Sequence, residues 1–479
     1  MEVVLSAATG DLVSRFISFL VNTYSDAACS EEKRVERLQQ LLLRAHMVVE
    51  EANRRYITNS GMLLQLKMLS RAMYHGYHVL HTFKCNQLIK EDSREVGITD
   101  SFASYLGTPL KRFRANGVTS NHRVDNRYDL EDALLKLETV VSNMTEFVIL
   151  LSGCESMMFR RPYDTYLYVD NFMFGRQIEK QQVINFLLQL NPPGSPPVLP
   201  IIGGNLVGKR TLVNHVWNDD KVRSYFSSVV HLNEVNFRRI ENESMSGRML
   251  VVVTVDSDVN DGEWKSFYQA VTCLSTEIKV IIVSKIESLA RFGTVDSIHL
   301  SRLQDEECNY LFKTLAFGSA RAEDNPKLTL LAGEFIRLLG GSFVATYPAA
   351  YTLRMNLSLP FWLSTLNTYK KFIKNNVSVY GEHQPGYPTD LTDFLPSPAA
   401  PLIIMPGRSE AEVSARKLPK IRITDIIVNP SLRPKGDFDL VTWESRVPPY
   451  TEFISHVPSC AQPMPKKTSR KKRGATAIL

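Results

Sequence analysis

The residues from Gly203 to Thr211 read Gly-Gly-Asn-Leu-Val-Gly-Lys-Arg-Thr, a composition and spacing suited to holding a phosphate chain. Gly203 and Gly208 bracket a turn tight enough for backbone N–H groups to converge on an anion, and Gly204 and Val207 lie within it. Lys209 adds a point charge for the outer phosphates, and the helix expected to start there points its positive dipole end at the same place. The pattern G-x-x-x-x-G-K-[ST] also requires a hydroxyl directly after the lysine to ligate Mg²⁺. Here that position is Arg210, and the hydroxyl comes one residue late, at Thr211. The loop therefore predicts nucleotide binding, ADP or ATP, and argues against metal-dependent turnover.

An acidic position further along supports the loop. Leu250 to Val255 is an apolar run that ends in Asp256-Ser257-Asp258, about 45 residues beyond the loop. A carboxylate at the carboxyl edge of such a strand lies beside a phosphate loop and can hold Mg²⁺, usually through water. Asp256 is the candidate for that role and the single candidate metal-side residue.

These residues need a scaffold, and the flanking sequence supplies one. Val198 to Ile202 leads into the loop, and further β-rich runs fall at 227–232, 249–255, 279–283 and 297–300, with helical segments between most of them. That alternation predicts a parallel sheet with helices on both faces. Residues 1–158 read as four helices with apolar seams: Leu12 to Tyr24, Val35 to Tyr56, Leu66 to Leu80, and Leu130 to Val148. Matching seams predict a four-helix bundle. His75, His78 and His81 cluster on the third seam, but their spacing drifts around the helix and no acid or cysteine joins them at ligand spacing, so they are expected on its polar face.

At 479 residues, with 44% hydrophobic and 22% charged residues, the chain has ordinary globular composition with room for several domains. The net charge is +6, and the run from Lys466 to Arg473 alone carries six cations, a candidate nuclear-import tail on a nearly neutral body. The six cysteines are scattered without a C-x-x-C pair, which points to reduced thiols. The N-terminus lacks the form of a signal peptide, and no apolar run approaches membrane-spanning length. A cytoplasmic or nuclear protein is expected. Nucleic acid is not expected as a partner, because no aromatic-basic interleaving accompanies the tail.

Taken in order, these segments resemble plant intracellular immune receptors of the nucleotide-binding leucine-rich-repeat class, in particular grass members with an Rx-like coiled-coil N-terminus. The resemblance covers most of residues 1 to about 375: the helical front, Gly175-Arg176, the loop, the strand ending at Asp256, the strand from Lys279 to Ser284, and Leu311 to Phe317. It implies an Rx-like bundle at 1–158, a linker at 159–174, a nucleotide-binding α/β domain at 175–320 and a small helical subdomain at 321–375. An irregular Pro-rich tail at 376–465 and a basic C-terminus at 466–479 would follow. It also implies Gly175 and Arg176 near the adenine, Lys209 at the β-phosphate, Thr211 toward the α-phosphate, Asp256 on the Mg²⁺ side, and a bundle that passes a signal to protein partners.

The chain departs from that pattern at Arg210, at Ser257 in place of a second acid, at Ser284-Lys285-Ile286 in place of a Thr-Thr-Arg sensor, and at a blurred Gly340-Gly341-Ser342-Phe343. Beyond about residue 375 no leucine-rich-repeat period of 20 to 29 residues appears. The leading expectation is a truncated, receptor-like defence protein whose centre binds ADP or ATP with little hydrolysis. The alternative is an adaptor, helper or decoy acting through its bundle. A working ATPase would need Thr211 or Asp258 to replace the missing groups.

Overall fold

Apolar residues three and four apart wind Glu31–Ala52 into α1, with Glu31 and Glu32 at its positive end. Helices α2 (Ser60–Glu95), α3 (Asn121–Ser142) and α4 (Thr145–Ser152) follow. Leu38, Leu42 and Val49 of α1 share one core with Leu66, Leu69 and Met73 of α2, Leu130 and Leu137 of α3, and Phe147 and Leu151 of α4. The computed structural model describes residues 31–95, 121–156, 169, 172–190, 195–233, 247–274, 277–380, 389–390, 403–404 and 418–458. The expected first seam, most of the linker expected at 159–174 and the basic C-terminus lie outside these residues.

The seams needed three corrections. The last one is two helices, because the chain turns at Asn143 and Met144 and restarts at Thr145. Tyr56 is not on α1, which ends at Ala52. It lies beyond the helix, where its hydroxyl donates to the Asp219 carboxylate at 3.1 Å. The histidines of α2 are half-buried and do not face open solvent. His75 lies between α3 and a helix introduced below, α9, 3.6 Å from Asp132 and 3.7 Å from Glu306, and burial, followed by the charge of Lys313, pushes His81 down to about 3.

The central sheet contains β1 (Val198–Gly203), β2 (Ser228–Leu232), β3 (Met249–Val255), β4 (Ile278–Ser284) and β5 (Ile298–Leu300), in the order β2-β3-β4-β1-β5. Every pairing is parallel, with Ile201 opposite Val283 on one side and Ile298 on the other. Alternate residues feed two separate cores, Leu199 and Ile201 to one and Val198 and Ile202 to the other. Both faces are therefore covered, which is why these strands read as unbroken apolar runs. Helices α5 (Gln177–Leu188) and α6 (Lys209–Trp217) cover the first face, and α8 (Asp261–Leu274) covers the second. A short helix, α7 (Asp220–Tyr225), precedes β2.

Past the sheet come α9 (Asp305–Phe317), α10 (Pro326–Leu339) and α11 (Phe343–Arg354). Tyr310 of α9 meets Tyr74 and Tyr77 of α2 at ring distances of 5.1 and 5.3 Å, and stacks on Phe174 at 6.1 Å.

Met1–Ala350 with Ser445–Tyr450 forms one compact unit, and Tyr351–Glu444 with Thr451–Leu479 forms a second. In the second unit α12 (Leu359–Tyr380) buries Trp362, whose indole N–H is within 3.1 Å of the carbonyls of Leu353 and Asn356. The stretch expected to be irregular holds two-residue strands β6 (Thr389–Asp390) and β7 (Ile403–Ile404). After them come β8 (Lys420–Arg422), α13 (Ile423–Val428), β9 (Phe438–Glu444) and β10 (Glu452–Val457), with β9 between the other two strands of a three-stranded sheet. Phe438, Leu440, Val457 and Ile426 form its small core, a pattern too short to stand out among the prolines around it.

Candidate nucleotide site

The site begins where β1 ends. Gly203 lies opposite Leu300 of β5, so close that a Cβ there would collide with the Leu300 carbonyl oxygen. The loop then reverses through Leu206 at φ 60° and Gly208 at φ 91°, and Gly208 becomes the cap from which α6 starts. A left-handed residue at that corner favours glycine. Neither Gly204 nor Gly208 has an atom within 4 Å of where its Cβ would stand, so the loop is open around both glycines. Val207 is buried and anchors the loop from behind.

Lys209 folds over this loop and donates to the carbonyls of Gly203 and Gly204, each at 2.6 Å. Burial pulls its pKa below the ordinary lysine value, Asp256 opposes that shift, and the nearby charges of Arg210 and Lys285 add to it. Thr211 is half-buried on the first turn of α6. Beyond the end of β3, two strands over from β1, Asp256 projects with its carboxylate 3.9 Å from the Arg210 guanidinium, both side chains well exposed. The carboxyl ends of β1 and β3 thus place Lys209, Arg210 and Asp256 near one another.

Asp258 does not join them. Ser288 donates to it at 2.9 Å and Arg291 lies 3.5 Å away, and these contacts hold its carboxyl below the usual carboxylate range. Ser284, at the end of β4, is buried and donates to the Val255 carbonyl at 2.7 Å.

Arg176, at the start of α5, reaches the loop at Val207 O, and Gly175 beside it packs against Leu303. Gly175 sits at φ 66°, and a Cβ there would meet Leu303 at 2.5 Å. The buried Arg176 guanidinium donates to Val207 O at 3.3 Å and to Ser301 O, and lies 5.4 Å from the Phe343 ring. Gly341, at φ 73°, approaches the same Leu303. Ser301 and Leu303 were not singled out from sequence, and Phe343 entered only as part of the blurred Gly340-Gly341-Ser342-Phe343. The available signal was position, since Ser301 directly follows the last residue of β5.

Phosphates fit this loop, because its glycines leave an open cradle and Lys209 lies over it. A loop-held Mg²⁺ does not fit. The residue after the lysine has no oxygen to give, and its cationic side chain faces the carboxylate that would share the metal.

The order β2-β3-β4-β1-β5 with a glycine loop after β1 defines a P-loop NTPase-type nucleotide-binding fold, here joined to an N-terminal helical bundle. The curated relatives of the chain are plant disease resistance proteins. Putative disease resistance protein RGA4 of Solanum bulbocastanum is 21% identical over 362 residues, 69% of this chain and 35% of that protein. Disease resistance protein RGA2 of the same species is 23% identical over 337 residues, 64% of this chain and 33% of that protein. Putative disease resistance RPP13-like protein 1 of Arabidopsis thaliana is 22% identical over 400 residues, 77% and 37% of the two chains. The chain spans about a third of the length of these relatives. No family model matches it. One solved structure, of Drosophila ORC bound to DNA, aligns at 10% identity over 44% of this chain with a TM-score of 0.24, too low to carry an argument. Among the described residues no helix is long and apolar enough to cross a membrane.

Proposed function

We propose that the central domain binds ADP or ATP with little or no hydrolysis, as the switch element of a receptor-like protein in plant defence signalling. The observation that carries this reading is the loop itself: Gly208 at φ 91° caps α6 beside an open cradle, with Lys209 folded over it. Lys209 and the loop backbone would hold the phosphates, with Thr211 on the α-phosphate side and Gly175 and Arg176 toward the base. Hydrolysis requires a held metal and a group that orients water. Arg210 stands where the metal's hydroxyl ligand belongs, and Asp258 is engaged by Ser288 and Arg291. The relatives' names, all disease resistance proteins, support the defence setting.

The test is thermal unfolding of the full chain with ADP and with ATP, beside Lys209→Ala. A ligand at 100 times its Kd stabilises the folded state by about 2.7 kcal/mol, a shift of a few degrees. A shift present in the parent and lost in the variant supports the reading, and no shift with either nucleotide refutes it.

A second reading rests on a separate observation. Leu43 and Met47 on α1 and Leu64 and Met68 on α2 are exposed four residues apart, from 50% to 63%. Apolar spacing of that kind suits a protein partner on the bundle and would serve an adaptor, helper or decoy equally well.

A further inference from the structure

We propose that Arg210 is a resident counter-cation, so that the site takes a nucleoside diphosphate or triphosphate as the metal-free anion. This rests on the nucleotide reading above and goes beyond it by naming the form of the ligand. Three observations carry it. The position after Lys209 offers a guanidinium in place of a hydroxyl. That guanidinium lies 3.9 Å from Asp256, on the carboxylate a metal would need. Lys209 feels both Arg210 and Lys285 as neighbouring cations, against Asp256 as the neighbouring acid.

The charge balance follows from these positions. Lys209, Arg210 and Lys285 outnumber Asp256, and Asp258 is turned toward Ser288 and Arg291. A divalent ion entering here would have to displace Arg210 from Asp256 and then sit against several cations. A metal-free phosphate chain meets the opposite situation. The Arg210 side chain is 70% exposed, so it can swing from Asp256 to the ligand without breaking a packed contact. A guanidinium presents paired N–H donors that match phosphate oxygens two at a time, which a lysine cannot do.

The experiment is equilibrium binding of ADP and ATP to the full chain in excess EDTA and in excess Mg²⁺, for the parent, Arg210→Ser and Lys209→Ala. The parent is expected to bind as tightly in EDTA as in Mg²⁺, or tighter. Arg210→Ser, which restores the motif's hydroxyl, is expected to lose about tenfold to a hundredfold in EDTA, the worth of one charge-assisted hydrogen bond, and to recover in Mg²⁺. Parent binding that tightens severalfold with Mg²⁺, or an Arg210→Ser variant unchanged in EDTA, would overturn the counter-cation while leaving nucleotide binding intact. Absence of binding by the parent in both buffers would overturn both. Circular dichroism of each variant separates lost binding from lost folding.

Discussion

The Gln181 side-chain amide donates to the backbone carbonyl of Arg55 at 3.2 Å, the middle rung of a three-step ladder. Gln177 donates to Asn53 O at 3.1 Å and Asn185 to Ile57 O at 3.0 Å. Donors four apart on a helix repeat about every 6 Å along one face, and the chain leaving α1 through a turn at Asn53 and Arg54 offers them the carbonyls of residues 53, 55 and 57. The ladder fixes α5 against the connection between α1 and α2. Because α5 starts directly after Arg176, which holds Val207 O, the same helix touches both the phosphate loop and the bundle.

Replacing Gln181 by Ala should therefore destabilise the bundle's seat on α5. The Arg55 carbonyl would lose a buried donor, at a cost of about 1–3 kcal/mol. Urea unfolding measures the loss, and amide exchange at residues 53–57 should rise above that of α2. Uniform exchange changes across the chain would mean that the ladder is not a local fastening.

Arg55 is the stronger anchor. Its guanidinium bonds Glu51 at 2.6 Å and the carbonyls of Cys154 and Ser152 at 2.9 and 3.2 Å, joining α1 to the end of α4. Arg55→Ala strands both the carbonyls and a partly buried carboxylate, and should cost about 3 kcal/mol. Arg55→Lys should recover only part of that, since one ammonium cannot reproduce the fork.

The glycines of the loop predict a contrast. Gly203→Ala drives a Cβ into Leu300 O and should cost about 1–3 kcal/mol by overpacking. Gly204→Ala meets nothing within 4 Å in the free protein and should leave stability unchanged. If the cradle holds phosphate, Gly204→Ala should instead weaken nucleotide binding. Thermal melts with and without ADP read both effects in one experiment.

The sheet was legible because its strands are apolar on both faces, and the loop because glycine and lysine spacing is a local property. What sequence concealed was non-local. Tyr56 continued the spacing of the α1 seam, and only the fold shows it bonded to Asp219 instead. The histidines of α2 looked solvent-facing because the helix that covers them, α9, lies some 230 residues later in the chain. Arg176 was expected by resemblance at the base. Its bonds to Val207 O and Ser301 O link three segments distant in sequence.

His215 on α6 predicts an acid-sensitive fold. Burial, with Lys180 adding to it, pushes its pKa down to about 4, while its Nδ1 lies 3.1 Å from Pro448 O. The unfolded chain takes up this proton near 6.5 and the folded protein only near 4. Between those values the unfolded state binds more protons, so stability falls as pH drops from about 6.5 to about 4. His215→Phe should flatten the curve in that window. A variant curve parallel to that of the parent would show that His215 does not titrate as its burial requires.

Lys279 makes the opposite end of the pH scale informative. It is 2% exposed on β4, and its ammonium donates to the carbonyls of Phe186, at 2.6 Å, and Gln189, so it caps the negative end of α5 from inside the sheet. Burial lowers its pKa to about 8. An unfolded lysine keeps its proton to about 10.4, so between these values the unfolded state again holds more protons, and stability should rise with pH across that window. Lys279→Met removes the titration together with the cap. The parent should therefore gain on this variant from pH 8 to 10, by at most about 1.4 kcal/mol per pH unit. At pH 7 the two effects of the substitution oppose each other: the buried charge is relieved, but the carbonyls of Phe186 and Gln189 lose their donor. Chemical denaturation at several pH values reads the net of the two at neutral pH, and the slope above pH 8 reads the titration that only the parent retains.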